Sequence, residues 1–339
     1  RAVVTIGLNA KYLGGDNMLE AIVSYAAAMG VSLVLALPVR AAYRRYPALP
    51  IGEAAQQALG PVGKVVPALY LVYFLQSGAA SLGIFQVFLV DTVNPEFSAT
   101  MAMAVLVGVA VFGACRGLET VARTGVCVFA LLLVGTGLVV ALVAGRFDPE
   151  NLEPLFVHGT AQAFQGTLLF VLRTSVFADM AVLLPFVQGR KTPGFLLWAG
   201  GTTLFVAGLL LLLAGCLGPY AATRDFPVYF LSGLTDARSL PQMDAVFIGV
   251  WMMALIVKLS CELTACRVCL TNLTHRERPL LWALLPGLAV LGAAFAAVRL
   301  QWMQAILLDT RLLLFCTAMA GLLLPGLVVI GARGKGAAR

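Results

Sequence analysis

The stretch TLLFVLRTSVFADMAVLLPF, residues 167–186, is apolar enough to cross a membrane yet carries Arg173 and Asp179 near its middle. A charge at the centre of a bilayer costs roughly 2.5–3.5 kcal/mol on insertion scales, so such residues face a partner or a wet cavity. Thr174 and Ser175 follow the arginine, and Phe177 and Asp179 come just after. If the chain unwinds near 174–178, freed amides, carbonyls and helix-end dipoles could hold both charges of a zwitterion. If it stays helical, Arg173 and Asp179 stand about 120° apart around the axis and cannot pair directly. The competing reading is two structural charges satisfied inside the bundle, since no Pro or Gly breaks residues 173–179.

A second group lies further along. Asp244, Trp251, Lys258 and Glu262 share one face of a helix by their spacing, and Lys258 and Glu262 are i,i+4 neighbours able to neutralise each other. A buried lysine titrates readily and could stand in for a coupling or gating cation; a purely structural ion pair explains it equally well. Tyr70, Tyr73, Ser77 and Ser81 form a third pattern, a polar and aromatic stripe on one helix face, with Gln76 beside it. In lipid such hydroxyls must find partners, so the stripe faces inward, as a binding wall or as interhelix glue. We take Tyr70, Tyr73, Ser77, Arg173, Thr174, Ser175, Phe177, Asp179 and Trp251 as candidate ligand contacts, and Lys258 and Glu262 as a gating ion pair.

The elements that would position these groups are membrane spans. Of 339 residues, 60% are apolar and 12% charged, against roughly 45–50% apolar in soluble domains. Apolar runs fall near 18–39, 65–90, 98–115, 124–144, 163–187, 195–217, 245–270, 280–298 and 306–331. Residues 1–15 are apolar but too short to cross, and read as part of an earlier helix. The short amphipathic segment GEAAQQAL in the loop 40–64 reads as lying on the membrane surface. The turn-rich, aromatic loop 218–243 reads as a lid, a docking surface or a plain connector.

The excess of basic residues, net +7, is a topology signal rather than a nucleic-acid footprint, because no basic helix or basic–aromatic stripe is present. The side that takes the loop 40–64 collects about twice as many Lys and Arg as the other, which makes it, and the C-terminus, cytoplasmic. Seven cysteines scattered through apolar runs are neither a disulfide framework nor a zinc layout. His158 and His275 have no ligand-like neighbours, and no GxSxG or phosphate loop occurs. Neither enzyme chemistry, a metal nor a cofactor is expected.

Counting the partial first helix gives ten spans, five plus five. Five is odd, so the second half must be inverted relative to the first, as in transporters built from inverted repeats. The expected architecture is all-α and membrane-integral: a first repeat over 1–144 with its first helix truncated, a second over 154–331, and a tail at 332–339.

Six stretches then occur in order: YRRYP (43–47), RGLETVAR (116–123), LLPFV (183–187), LGP (217–219), FPVYFL (226–231) and DAVFIGVWMMALIVK (244–258). Together they resemble the GerAB-type spore germination protein family, within the amino acid–polyamine–organocation permease superfamily. The resemblance implies a membrane subunit of a spore germinant receptor in the inner membrane of the spore. It would bind a small nutrient such as an amino acid and work with the other receptor subunits. Carried over by position, Trp251 and Lys258 match the family's Asp-Ala…Trp…Lys helix, Gly117, Glu119 and Arg123 its cytoplasmic turn, and Asp179 a position usually held by Glu. Val176 and Ala178 depart from the family's Pro and Gly. A proton-coupled secondary amino acid transporter would need the same pocket and stays open as the alternative.

Overall fold

The computed structural model describes residues 18–47, 49–93, 96, 98–152, 160–174, 176–189, 191–233 and 243–336. Its helices are α1 Met18–Arg45, α2 Ile51–Leu59, α3 Val65–Phe88, α4 Ala99–Arg116, α5 Leu118–Val143, α6 Thr160–Thr174, α7 Val176–Leu183 and α8 Lys191–Leu217. They continue with α9 Tyr220–Thr223, α10 Pro227–Gly233, α11 Met243–Thr274, α12 Pro279–Arg299, α13 Thr310–Ala318 and α14 Leu324–Gly336. Among the described residues no strand occurs, and nine candidate spans are long and apolar enough to cross a membrane. The protein is an all-α integral membrane protein with a transporter-like helical fold.

Lipid offers the backbone no hydrogen-bond partner, which is why apolar runs of this length close their bonds internally as helices. Each of the nine expected full spans is present with shifted ends; the partial helix expected at residues 1–15 lies outside the described residues. The run expected at 65–90 is the largest change: α2, a 3₁₀ turn at Gly60–Lys64, α3 and a π-helical turn at Leu89–Val93 join into a single stretch, Ile51–Val93. Further π turns at Met303–Leu307 and Met319–Leu323 flank α13.

The chain divides into two compact units, each drawing on both halves of the sequence. The first takes residues up to Val31, Arg123–Thr174 and Arg190–Leu255. Within it, Ser24 on α1 donates to the Ala163 carbonyl of α6 (3.0 Å), and the Tyr25 and Phe170 rings meet edge to face at 5.0 Å. The chain after α5 is tied to the end of α8 by Asn151, whose amide nitrogen donates to the Gly215 carbonyl at 3.0 Å.

The second unit takes Ser32–Ala122, Ser175–Gly189 and Ile256–Arg339. One core cluster joins Tyr70, Tyr73 and Phe74 of α3 to Phe177, Ala178 and Ala181 of α7, Cys266 and Cys269 of α11, and Ala320, Leu324 and Val328. Here α2 departs from the surface position expected for it. Ile51, Ala54, Ala55 and Ala58 are buried, and a methyl group built on Gly331 of α14 would stand 2.7 Å from Leu59. A face of Gly and Ala lets backbones approach to van der Waals contact, the packing that membrane helices favour; the apolar face of the segment lies against a helix rather than a lipid surface.

Candidate functional site

The polar centre of the second unit is built by α3 and α11. Ser77 and Ser81 are four residues apart on α3, and Lys258 and Glu262 four apart on α11, so each pair presents both groups on one side of its helix. The Lys258 ammonium lies 3.3 Å from Glu262 Oε1, with the two side chains only 8% and 3% exposed. It also donates to Ser81 Oγ and to the Ser77 carbonyl. Ser77 Oγ donates to Glu262 Oε1 at 2.7 Å, and Ser81 Oγ back-bonds to the Ser77 carbonyl at 2.9 Å. The ammonium is thus surrounded by a carboxylate, a hydroxyl and a carbonyl, a ligand shell of the kind a buried cation needs.

Small residues make the close approach around this cluster. A methyl on Gly78 of α3 would stand 3.4 Å from Glu262 Oε2 and 3.1 Å from Val290, and one on Gly113 of α4 only 2.7 Å from Ser260 Oγ. Arg267, about two and a half turns beyond Lys258, donates to the carbonyl of Ala114 near the end of α4. At the far end of α11, Gln56 of α2 donates to the Asn272 carbonyl at 2.8 Å. These ties hold α11 against α2 and α4.

Of the sequence candidates, Ser77, Lys258 and Glu262 come together in this way. The polar stripe of α3 divides. Tyr70 is fully buried, stacks against Phe74 (6.4 Å) and donates to the Ala320 carbonyl at 2.6 Å, which sits in the π turn Met319–Leu323 where a helical carbonyl becomes available. Tyr73 meets Phe74 edge to face at 5.5 Å. Phe177, also buried, lies against Gly321 of the same π turn, where a methyl would stand 3.1 Å from its ring. Asp179 follows on α7, half-buried. Ser81, which the spacing had placed on the stripe without a role, is the added member of the ion-pair shell; its i,i+4 relation to Ser77 was the available signal. Tyr70→Phe should lower stability by about 0.6 kcal/mol, the average for an interhelix hydrogen bond in a membrane, measured by denaturant unfolding in detergent.

Arg173, Thr174 and Trp251 belong to the first unit. Thr174 back-bonds to the Phe170 carbonyl at 2.7 Å and is buried; Arg173 is half-buried at the end of α6. Ser175 lies outside the described residues, as does the side chain of Asp244. Trp251 is buried at the start of α11, its ring 5.3 Å from Phe247 and 6.3 Å from Phe226. Tyr229 of α10 extends the set, 6.1 Å from Phe247, and Arg224 lies over the rings of Tyr220 and Phe230. The described part of the loop 218–243 therefore forms two short helices pinned by aromatic contacts. Beneath α10, Trp251 and Phe247 share an apolar pocket with Leu132, Thr136 and Phe205. Its volume of about 60 Å³ is far below the roughly 300 Å³ at which ligand pockets begin.

The Lys258–Glu262 centre is charged, hydroxyl-lined and set between packed helices. The sequence is similar to Spore germination protein KB of Bacillus subtilis (strain 168), 25% identical over an alignment 239 residues long that covers 66% of this chain and 62% of the relative. The chain therefore matches somewhat less than two thirds of that protein's length. The sequence model of the family described as "Spore germination protein" matches residues 28–295, a stretch that contains α3, α7 and the whole Lys258–Glu262 centre, and by that match the chain belongs to the spore germination protein family.

Proposed function

We propose that the protein is the membrane subunit of a spore germinant receptor. It binds a small nutrient, most simply an amino acid, in a central pocket and passes a conformational change to partner subunits that trigger germination. The observation that carries this reading is the family match over residues 28–295; the name of the Bacillus subtilis relative supports it. The reading includes a location in the inner membrane of the spore with the C-terminus in the cytoplasm, and a pair of inverted repeats over 1–144 and 154–331. Arg173, Thr174, Ser175, Phe177 and Asp179 would contact the ligand where the first helix of the second repeat opens, with Tyr70, Tyr73, Ser77 and Trp251 as walls. Lys258 and Glu262 would be the internal ion pair that holds the resting state.

A receptor retains ligand and does not accumulate it. In sealed vesicles carrying the protein, labelled amino acids should show saturable retention that an imposed proton gradient leaves unchanged. Gradient-driven accumulation above equilibrium would replace the receptor by a proton-coupled amino acid transporter, a reading favoured by the buried, titratable Lys258–Glu262 pair. Asp179→Ala should raise the half-saturating ligand concentration at least roughly tenfold, the equivalent of about 1.4 kcal/mol, with membrane levels and melting unchanged. A variant that fails to accumulate in membranes would make Asp179 a structural charge.

A further inference from the structure

The last turns of α1 carry a feature that neither the ion-pair centre nor the ligand reading uses. Leu37, Arg40, Ala41, Arg44 and Arg45 follow the i, i+3, i+4, i+7, i+8 pattern of one helix face. Ala36, Val39 and Ala42, on the other face, are buried in the second unit. The exposed face borders a recess of about 470 Å³ lined by Leu37, Arg40, Ala41, Arg44 and Arg45 together with Val329 of α14. Among the described residues none of the three arginines has a carboxylate partner. The candidate span Glu20–Arg45 ends with α1, and the span Thr310–Ala332 ends within α14, which puts the recess at the ends of two spans, where hydrocarbon gives way to water.

We propose that this recess binds the headgroup of an anionic phospholipid, with the phosphate held by Arg40, Arg44 and Arg45 and the glycerol and upper acyl chain resting on Leu37 and Val329. Three observations favour a lipid over other anions. The guanidiniums are forked donors suited to phosphate oxygens. Their position beside a membrane span is where basic pockets take acidic headgroups. An apolar edge at 56% exposure, Leu37, has no use for a free ion but suits a chain that continues into the bilayer. The volume, within the roughly 300–1,000 Å³ of small-molecule sites, is that of a headgroup rather than of a lone ion.

The test uses the full chain purified in a neutral detergent, titrated with phosphatidylglycerol or phosphatidylcholine, with bound lipid counted by native mass spectrometry. Phosphatidylglycerol should be retained at concentrations at least tenfold below phosphatidylcholine. Replacing Arg40, Arg44 and Arg45 together by Gln should weaken that retention by on the order of 100-fold, whereas Arg276→Gln with Arg278→Gln, in the exposed turn before α12, should leave it unchanged. Arg44→Gln alone, at an exposed position, gives a smaller loss and serves if the triple variant does not fold. Equal losses in the 276/278 variant would overturn the site in favour of diffuse surface charge. Displacement of the lipid by millimolar inorganic phosphate would make it a free-anion site. Lipid binding untouched by the arginine variants, but a polyglutamate peptide captured through the same arginines, would make it a docking surface for an acidic protein segment.

Discussion

Replacing Lys258 by methionine should cost about 3–5 kcal/mol of stability, the largest loss expected of any exchange in the ion-pair centre. The Lys258 and Glu262 side chains are 8% and 3% exposed and stand 3.3 Å apart. Methionine approximates the length of the lysine stem, so packing is nearly kept and the charge alone is removed. What is left is a carboxylate in a low-dielectric interior with a serine hydroxyl in place of a full positive charge, and removing one member of a buried pair carries that penalty. A second exchange, Glu262→Met in the Lys258→Met background, should recover most of the loss or exceed the native protein, because buried pairs are often no better than apolar groups of equal volume. Denaturant unfolding in detergent of the single and the double variant measures both effects. A single variant as stable as the native protein would mean that water reaches the pair. If the double variant is stable but unresponsive to ligand, the pair serves signalling; if it responds normally, the idea that Lys258 acts as an internal cation must be dropped.

The pairing of Lys258 with Glu262 was legible in the sequence because it depends only on helical spacing, and a charged pair inside an apolar run has few other ways to be satisfied. The spans were legible for the same reason, since length and apolarity suffice. What the sequence could not supply was the identity of partners across helices. Tyr70, Tyr73, Ser77 and Ser81 share a face, yet Tyr70 finds a backbone carbonyl at Ala320 while the serines find Lys258 and Glu262. The difference is set by the π turn at Met319–Leu323, which no periodicity announces. The segment GEAAQQAL shows the same limit. Its amphipathic pattern says that one face is buried and leaves the partner, lipid or helix, undetermined. The signal that could have decided it is the small size of Gly52, Ala54, Ala55 and Ala58, too little apolar surface to hold a helix on a membrane and well suited to close helix contact.

That close contact leads to the second large effect, expected at Gly63→Ala. Gly63 lies in the 3₁₀ turn Gly60–Lys64, and a methyl group there would stand 2.3 Å from the Ala55 carbonyl oxygen, 2.4 Å from its carbon and 2.6 Å from Gln56 Cα. All three are backbone atoms of α2, so no rotamer change relieves the overlap; the turn must lift away from the helix. Overpacking of this kind costs about 1–3 kcal/mol, and a backbone obstruction places it at the upper end, about 3 kcal/mol. The damage should travel. α2 holds α11 through Gln56 to the Asn272 carbonyl, and a methyl on Gly52 would stand 2.6 Å from the Asn272 amide nitrogen, so displacing α2 loosens the end of the helix that carries Lys258 and Glu262. Gly287→Ala, whose methyl would meet side chains alone, Val111 at 2.6 Å, Val107 at 3.3 Å and Leu263 at 3.8 Å, should cost less, because side chains can shift. Gly108→Ala on α4 has nothing within 4 Å and should be neutral or stabilising by up to about 1 kcal/mol. Unfolding of the three variants side by side, with hydrogen exchange followed in α11, separates the two causes. A uniform small gain at all three would leave helix propensity as the whole effect, whereas a large loss at Gly63→Ala with faster exchange near Asn272 would establish α2 as the clamp that sets the register of the ion-pair helix.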